Sequence, residues 1–343
     1  MTHTTRARFA FACTALLVAA SSALAQLTPD RMFYGVDRKA PMTVEANGDV
    51  EIKLFDPETR EVVATAPAVA GGVDLASLFP ELWLEKSEQV RYAQLFVDGN
   101  AVGAPVVLVP MISVDRAILV NPQTGQPAQR GQRGRPLFDS EIAQMQGRTR
   151  TVVYSGFRAY VSKDVVLDTS MGEIRIRLRP DVAPNHAWNF RSLVEGGYYT
   201  DIVFHRVVPS FVVQVGDPTG VGSGGPGYAI DLERSSLLHD FGVLSMARTG
   251  EPDTGGSQIF ICLTREATAQ LDGSYTAFGE SIAGADTIAA LGDVEVQGQK
   301  PVDPPVLERA YLVDSAPITE WKAPVRRPAA TPEPAEETGN AQR

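Results

Sequence analysis

The sequence is poor in the residues that carry covalent or metal chemistry. Its 343 residues include two cysteines and four histidines. Cys13 lies in the apolar N-terminal run, so an exported form keeps only Cys262, which excludes an intramolecular disulfide. His186, His205 and His239 lack the spacing of metal ligands, and the nucleophile motif Gly-x-Ser-x-Gly is absent. We therefore expect no metal, no cofactor and no covalent intermediate.

Positive charge and long apolar runs are also scarce. The chain has 31 Lys and Arg against 41 Asp and Glu, and the formal charge of −10 argues against a nucleic-acid partner. No segment after residue 25 offers the roughly 18 uninterrupted apolar residues that a transmembrane helix needs. We therefore expect no membrane span, and we favour a monomer.

Residues 1–25 have the pattern of a secretory signal peptide. Arg6 and Arg8 precede the apolar stretch Phe9–Ala20, which ends in a run of small residues. This order predicts cleavage after Ala25. We expect the mature protein in the periplasm or outside the cell. A lipid anchor is not expected, because Cys13 leaves with the signal.

Residues 26–160 are predicted to form a β-rich, sandwich-like domain of unknown role. Asn47-Gly48 and Asp98-Gly99 each separate two strand-like segments, and such pairs favour tight hairpin turns. Between these turns, the segment Asp74–Leu84 is predicted to hold a short helix. Many Gly, Pro, Gln and Arg residues in Asn121–Pro136 indicate a loop.

Residues 164–315 are predicted to form a second, all-β dominated domain. Short strands with even spacing alternate with Gly- and Pro-rich turns, and a segment that opens at Pro184 and closes at Gly196-Gly197 has helical spacing. Many short strands with few helices indicate a closed antiparallel barrel capped by helices. Residues 316–343 are rich in Pro, Ala and Glu, which predicts a disordered tail.

One run, from Phe204 to Asp217, is the most informative part of the chain. It is a strand, a proline turn and a second strand, with Arg206 in the first strand and Gln214 in the second. Alternation places Val212 and Gln214 on one face of the second strand, and Phe211 and Val213 on the other. Polar side chains among large apolar ones either point to water or line a polar spot in an apolar groove.

This run, Phe-His-Arg-Val-Val-Pro-Ser-Phe-Val-Val-Gln-Val-Gly-Asp, resembles the signature of the cyclophilin family of peptidyl-prolyl cis–trans isomerases. Ser245–Arg248, Gly256–Ile261 and Leu271–Gly279 are similar to the other blocks of that family, in the same order. The resemblance implies a closed eight-stranded barrel capped by two helices, with a shallow groove for an X-Pro peptide. The sequence of the Leu271–Gly279 block resembles that of the bacterial, exported branch of the family.

Matched one position at a time, the resemblance implies that Arg206 is the catalytic arginine and Phe211 the aromatic floor of the proline pocket. Gln214 matches a glutamine that hydrogen-bonds near the substrate backbone. The resemblance also implies a set of substrate-binding residues, which are Val212, Ala247, Gln258, Phe260, Leu271 and Tyr275.

Four positions differ from the better-known eukaryotic pattern of the family. Val212 stands where methionine is usual, Arg248 replaces an asparagine, Gln270 replaces a tryptophan, and Tyr275 replaces a histidine. The tryptophan position contributes to cyclosporin binding in the family, so Gln270 implies weak inhibition by that compound.

The reaction that the resemblance implies suits these residue types. Rotation about an X-Pro bond has a barrier of ~18–20 kcal/mol because it destroys amide resonance. In the twisted state the prolyl nitrogen gains a lone pair, so a donor aimed at it stabilises the transition state more than the ground state. We expect Arg206 to be that donor, acting on proline-containing segments of unfolded or flexible exported proteins. The alternative is a non-catalytic module that only holds proline-containing peptides, as a chaperone or scaffold.

Overall fold

The computed structural model describes residues 25–84, 89–121, 123–128 and 134–329. The predicted signal peptide, apart from Ala25, and residues 330–343 of the predicted tail lie outside the described residues. Within the described ranges the chain is dominated by antiparallel strands, as the sequence predicts. None of the helices in these ranges combines the length and the apolar composition of a membrane-crossing helix.

The part of the chain before residue 162 contains eleven strands and three short helices in its described residues. The strands are β1 Gln26–Pro29, β2 Phe33–Gly35, β3 Pro41–Glu45, β4 Val50–Phe55, β5 Val62–Ala68, β6 Gly71–Asp74, β7 Arg91–Val97, β8 Asn100–Ile112, β9 Ala117–Val120, β10 Arg135–Phe138 and β11 Tyr154–Val161. The helices are α1 Leu75–Leu78, α2 Glu81–Leu84 and α3 Asp139–Met145.

These strands form a three-stranded sheet in the order β1-β3-β6, a six-stranded sheet in the order β2-β11-β8-β7-β4-β5, and a separate β9-β10 pair. The hairpin at Asp98-Gly99 is confirmed, because Val97 pairs with Asn100 across it. The hairpin predicted at Asn47-Gly48 is wrong. Strand β3 pairs with β1 and β6, whereas β4 pairs with β5 and β7.

The reason for this change of sheet is a shared core. Met42 and Val44 of β3 and Ile52 and Leu54 of β4 are all buried in one hydrophobic cluster. Two apolar strand faces that follow each other in sequence can bury the same surface by packing face to face instead of pairing edge to edge. The role of residues 26–160 and their description as a sandwich-like domain stay predictions.

The second part of the chain has eleven strands, three α-helices and two short 3-10 helices in its described residues. The strands are β12 Lys163–Thr169, β13 Gly172–Leu178, β14 Thr200–Val203, β15 Arg206–Val208, β16 Val212–Val215, β17 Val243–Met246, β18 Ile259–Cys262, β19 Ala277–Ala283, β20 Val296–Gln297, β21 Lys300–Pro301 and β22 Val306–Asp314. The α-helices are α4 Pro184–Glu195, α5 Arg265–Thr268 and α6 Ala285–Gly292.

Nine of these strands form one curled sheet in the order β14-β22-β12-β13-β19-β17-β18-β16-β15. The expected closed barrel of eight strands is not confirmed, because the sheet has a ninth strand and ends at β14 and β15 without a ladder between them in the described residues. Helices α4 and α6 pack on the sheet. Phe190 of α4 and Ile288 of α6 are fully buried in its core, so the expectation of two covering helices agrees with the structure.

Part of the segment predicted to be a disordered tail is packed. Ile318 is 1% exposed, and its backbone N–H donates to the buried Gln94 side chain at 3.0 Å. Trp321 contacts Tyr92 edge-on with ring centroids 5.1 Å apart, and Val325 hydrogen-bonds to Ser281. Residues 316–325, which we call the C-terminal strap, therefore connect the six-stranded sheet to the curled sheet. Composition did not predict this, because only a few apolar side chains of the strap pack against the two sheets.

Candidate active site

Strands β15, β16 and β18 carry the residues that the sequence singles out. Arg206 pairs with Gln214 across β15 and β16, and Gln214 pairs with Phe260 across β16 and β18. Cross-strand partners share a face of the sheet, so these three side chains lie side by side. Val213 and Ile261, one position along, are fully buried in the core on the opposite face. The alternation that builds the core thus leaves a mixed polar and apolar row outside it.

The polar half of this row is a chain of side-chain hydrogen bonds. Arg206 Nη1 donates to Gln214 Oε1 at 3.1 Å, and Gln214 Nε2 donates to Gln258 Oε1 at 2.8 Å. Gln258 Nε2 in turn donates to the carbonyl of Gly224 at 2.9 Å. Arg206, Gln214 and Gln258 are called the polar row below. Because every amide along it has a partner, the row holds the guanidinium at one place on the surface.

Arg206 keeps donor capacity for a ligand. Its Nε donates to Gln299 Oε1 at 2.7 Å, and no carboxylate lies within ion-pair distance of it among the described residues. Partial burial lowers the pKa of Arg206, although an arginine stays protonated in proteins. A fixed, half-buried guanidinium without an acidic partner is suited to donate to an uncharged or weakly basic ligand atom.

The apolar half of the row is a cluster beside Arg206. Val212, Phe260 and Leu271 are buried, and half-buried side chains pack against them. We call this the groove cluster, and its members are Phe211, Val212, Ala247, Phe260, Leu271 and Tyr275. Tyr275 meets Phe260 edge-on with ring centroids 5.8 Å apart. The nine predicted site residues therefore divide between the polar row and the groove cluster. Their roles stay predictions.

Phe211 packs in the groove cluster, a position that strand alternation did not predict. Alternation placed it on the face of Val213, which the structure puts in the core. Strand β16 begins only at Val212, after Ser210 takes a left-handed conformation with φ of 61°. The turn, closed by the hydrogen bond from Phe211 N to Val208 O at 2.9 Å, brings Phe211 to the same side as Val212. The residue was identified by resemblance, and its placement depends on the turn.

A buried hydrogen-bonded triplet lies under the groove cluster. His239 Nδ1 is 3.0 Å from Asp272 Oδ1, and His239 Nε2 is 2.9 Å from Ser245 Oγ. The order of groups is that of a hydrolytic triad, but Ser245 is 0% exposed and cannot reach a substrate. The His239 ring stacks on Phe260 at 6.0 Å. Sequence reasoning did not find this triplet, whose effect is to fix the position of Phe260.

A cleft of about 430 Å³ opens beside the polar row. Gln214, Ala247 and Gln258 line it, so the cleft is continuous with the predicted site. Its far wall is a glycine-rich loop, residues 216–227, which is folded around the buried Asp217. That carboxylate accepts backbone N–H groups of Thr219, Gly222 and Gly224, which hold its pKa well below the ordinary value against the opposing effect of burial.

A cavity larger than this cleft lies elsewhere. It measures about 690 Å³ and separates the six-stranded sheet, the curled sheet and the C-terminal strap. Most of its charges are already paired, as in the ion pairs Arg91–Asp56 and Arg179–Asp181. Size therefore does not identify the active site, and we assign chemistry to the smaller cleft because Gln214 and Gln258 of the polar row line it.

Comparisons with known proteins identify the family of the second part of the chain. The family model described as "Cyclophilin type peptidyl-prolyl cis-trans isomerase/CLD" matches residues 164–312. A protein from Aspergillus oryzae named peptidyl-prolyl cis-trans isomerase-like 1 is 42% identical over 160 residues, which is 45% of this chain and 98% of that protein. A peptidyl-prolyl cis-trans isomerase from Schizosaccharomyces pombe is 42% identical over 147 residues, 41% of this chain and 93% of its own length.

A solved structure is similar over the same part of the chain. It is a cyclophilin type peptidyl-prolyl cis-trans isomerase from Cryptosporidium parvum, determined in the presence of the dipeptide Ala-Pro. It is 34% identical, has a TM-score of 0.42, and covers 44% of this chain and 98% of that chain. The relatives named in the preceding comparison are fungal, so they lend no support to a bacterial, exported branch, which stays a prediction.

Proposed function

Because the chain belongs to the cyclophilin-type peptidyl-prolyl cis-trans isomerase family, we propose that the polar row and the groove cluster together bind an X-Pro segment and twist its imide bond. The chain is accordingly a peptidyl-prolyl cis–trans isomerase. The observation that supports this site is the placement of Arg206, which bonds to Gln214 on the strand between it and Phe260. A donor and an apolar wall on one face are what a prolyl ring and its nitrogen require.

The mechanism needs no covalent step. The groove cluster takes the proline ring, and the exposed edges of Phe211 and Tyr275 exclude water from around the amide. Arg206 donates a hydrogen bond to the prolyl nitrogen, which becomes basic only when the bond is twisted. Because the planar ground state offers no such lone pair, this bond lowers the barrier without tightening ground-state binding.

Magnitudes show that Arg206 does not act alone. An acceleration of ~10⁵-fold corresponds to about 7 kcal/mol at ~1.36 kcal/mol per decade. One hydrogen bond from a charged donor contributes ~1.5–3 kcal/mol. The remainder comes from binding the twisted geometry, in which the groove cluster holds the ring while the polar row holds the backbone on its other side.

The test is a peptide isomerisation assay on the full chain and two arginine variants. We expect Arg206→Ala to lower kcat/KM about 100-fold, by analogy with the loss of one preorganised donor elsewhere. Arg309→Ala is the matched control, since Arg309 lies in β22 away from the site and forms an ion pair with Asp168. We expect the control to leave kcat/KM unchanged.

Two results would contradict the proposal. Exchange at the uncatalysed rate with the unmodified chain would leave only the alternative of a non-catalytic module that binds proline-containing peptides. Equal rates for Arg206→Ala and Arg309→Ala would retain the activity but remove the role of Arg206.

We also propose that the substrates are exported proteins. The support is the signal-like pattern of residues 1–25, with Arg6 and Arg8 before an apolar stretch. Expression in a bacterial host, followed by cell fractionation and N-terminal sequencing of the purified protein, tests this proposal. A protein that starts at Gln26 and is released with the periplasm would support it, and a full-length protein that stays in the cytoplasm would refute it.

A further inference from the structure

The cleft beside the polar row carries one charged side chain. Arg248 lines this cleft of about 430 Å³ together with Gln214, Ala247 and Gln258, while its other lining residues are uncharged. In the family that the sequence resembles, an asparagine is usual at the position of Arg248. The cleft therefore has a charge that the common pattern lacks.

Arg248 is fixed by backbone carbonyls and not by an acid. Its Nε and Nη2 donate to the carbonyl of Ser274 at 3.0 and 2.8 Å. Its Nη1 donates to the carbonyls of Thr249 and Gly250 at 2.9 and 3.2 Å. The guanidinium lies over the ring of Tyr275, 4.5 Å from the centroid. These contacts determine where the positive charge sits without neutralising it.

Acidic side chains close enough to cancel this charge are missing from the described residues. No carboxylate there forms an ion pair with Arg248. Glu251 and Asp253 attract its charge from a greater distance, whereas burial lowers its pKa. Neither acid lines the cleft, and the Asp217 carboxylate is enclosed behind its far wall, where backbone N–H groups of the loop bind it. Arg248 is therefore the charged group that a ligand in the cleft would contact.

We propose that this cleft binds an acidic side chain of the substrate, and that Arg248 makes the enzyme prefer X-Pro segments with Asp or Glu within three residues of the proline. The inference rests on the proposed function, since the cleft and the polar row share Gln214 and Gln258. An extended chain advances about 3.3–3.6 Å per residue, so a neighbouring residue can reach the cleft while the proline occupies the groove cluster. A carboxylate on a stem of one or two methylenes fits its volume.

The test uses a series of short peptides that contain one Ala-Pro bond. Glu, Gln or Lys is placed in turn at each of three positions before and after this dipeptide, and kcat/KM is measured for each peptide with the full chain. At one or more positions we expect Glu to exceed Lys by about tenfold, which corresponds to ~1.4 kcal/mol, with Gln between them. This ratio should shrink when the salt concentration is raised to about 1 M, since the Debye length then falls to ~3 Å.

Three variants attribute the preference to Arg248. Arg248→Gln should bring the Glu/Lys ratio close to one, Arg248→Lys should retain part of it, and Arg248→Glu should invert it. Arg248 also supports Tyr275, so a variant can lose activity for structural reasons. The ratio of two substrates within the same variant cancels such losses, because damage to the groove cluster affects both peptides equally.

The outcomes separate this inference from the proposed function. If the Ala-Pro peptides are isomerised but Glu and Lys give equal kcat/KM at all positions, the inference is overturned and the proposed function stands. If no peptide is isomerised, the affinities of the same Glu and Lys peptides, measured by calorimetry, decide whether the cleft selects for charge. If the variants do not fold, the unmodified chain and its salt dependence still decide the question.

Discussion

Gln299 allows a direct test of how far catalysis depends on the fixed position of Arg206. Its side-chain oxygen accepts a hydrogen bond from Arg206 Nε at 2.7 Å, and its backbone oxygen separately accepts Val207 N at 2.8 Å. Gln299→Ala removes the first bond and leaves the second. A hydrogen bond to a charged group contributes ~1.5–3 kcal/mol. Because Gln299 is exposed, solvent screening reduces this to about 0.7–1.4 kcal/mol.

That loss corresponds to a three- to tenfold decrease in kcat/KM. We expect kcat to fall and KM to stay unchanged, because Gln299 holds the donor and does not contact the proline ring. The assay is isomerisation of an Ala-Pro peptide by the full chain. Gln297→Ala is the matched control, since Gln297 is an exposed glutamine in the adjoining strand β20 and has no hydrogen bond from its side chain in the described residues.

A double-mutant cycle then separates positioning from general damage. If Gln299 acts through Arg206, adding Gln299→Ala to Arg206→Ala should cause no further loss. A full additional loss in the double variant, or equal rates for the Gln299 and Gln297 variants, would refute the reasoning.

Two further predictions concern stability. Burial lowers the pKa of His205 and His239 below the ordinary 6.5, so below that pH the unfolded chain binds more protons than the folded chain. The free energy of unfolding should therefore fall as the pH drops from 7 to 5, by at most ~1.4 kcal/mol per pH unit for each histidine, and urea titrations showing no slope would contradict this. Ile318→Ala should cost ~2–4 kcal/mol because the side chain is 1% exposed, whereas Ile118→Ala, at a site 41% exposed, should cost under ~1 kcal/mol. Equal urea midpoints for these two variants would show that the C-terminal strap does not contribute to folding.

Local signals in the sequence were enough to predict many elements, whereas the expected site residues came from the resemblance to the family. The helix α4 was predicted between Pro184 and Gly196, and the hairpin at Asp98-Gly99 was predicted from its turn. These features depend on residues a few positions apart, where backbone preferences act directly. The four ordered blocks likewise indicated Arg206 and its neighbours as expected site residues, because the matched residues lie close together within short stretches of the chain.

Contacts between distant residues needed the tertiary structure. The strands on either side of Asn47-Gly48 entered different sheets, because burial of a common apolar surface outweighed the turn preference. Gln299 reached Arg206 across 93 positions in the sequence. Neither event leaves a periodic signal, since each depends on which surfaces meet after the sheets have formed.

The difference between what the sequence predicted and what needed the tertiary structure follows from how far apart in the chain the interacting residues lie. The sequence alone determined the alternation of strands and turns such as the one at Asp98-Gly99, since these depend on neighbouring side chains and backbone preferences. The resemblance to the family indicated which residues are expected to act on a prolyl bond. Only the tertiary structure decided the open, nine-stranded sheet, the burial of Ile318 of the C-terminal strap and the placement of Arg248 without an ion-pair partner in the described residues. Strand pairing, burial and the distances between charges are properties of surfaces that come together from far apart in the chain.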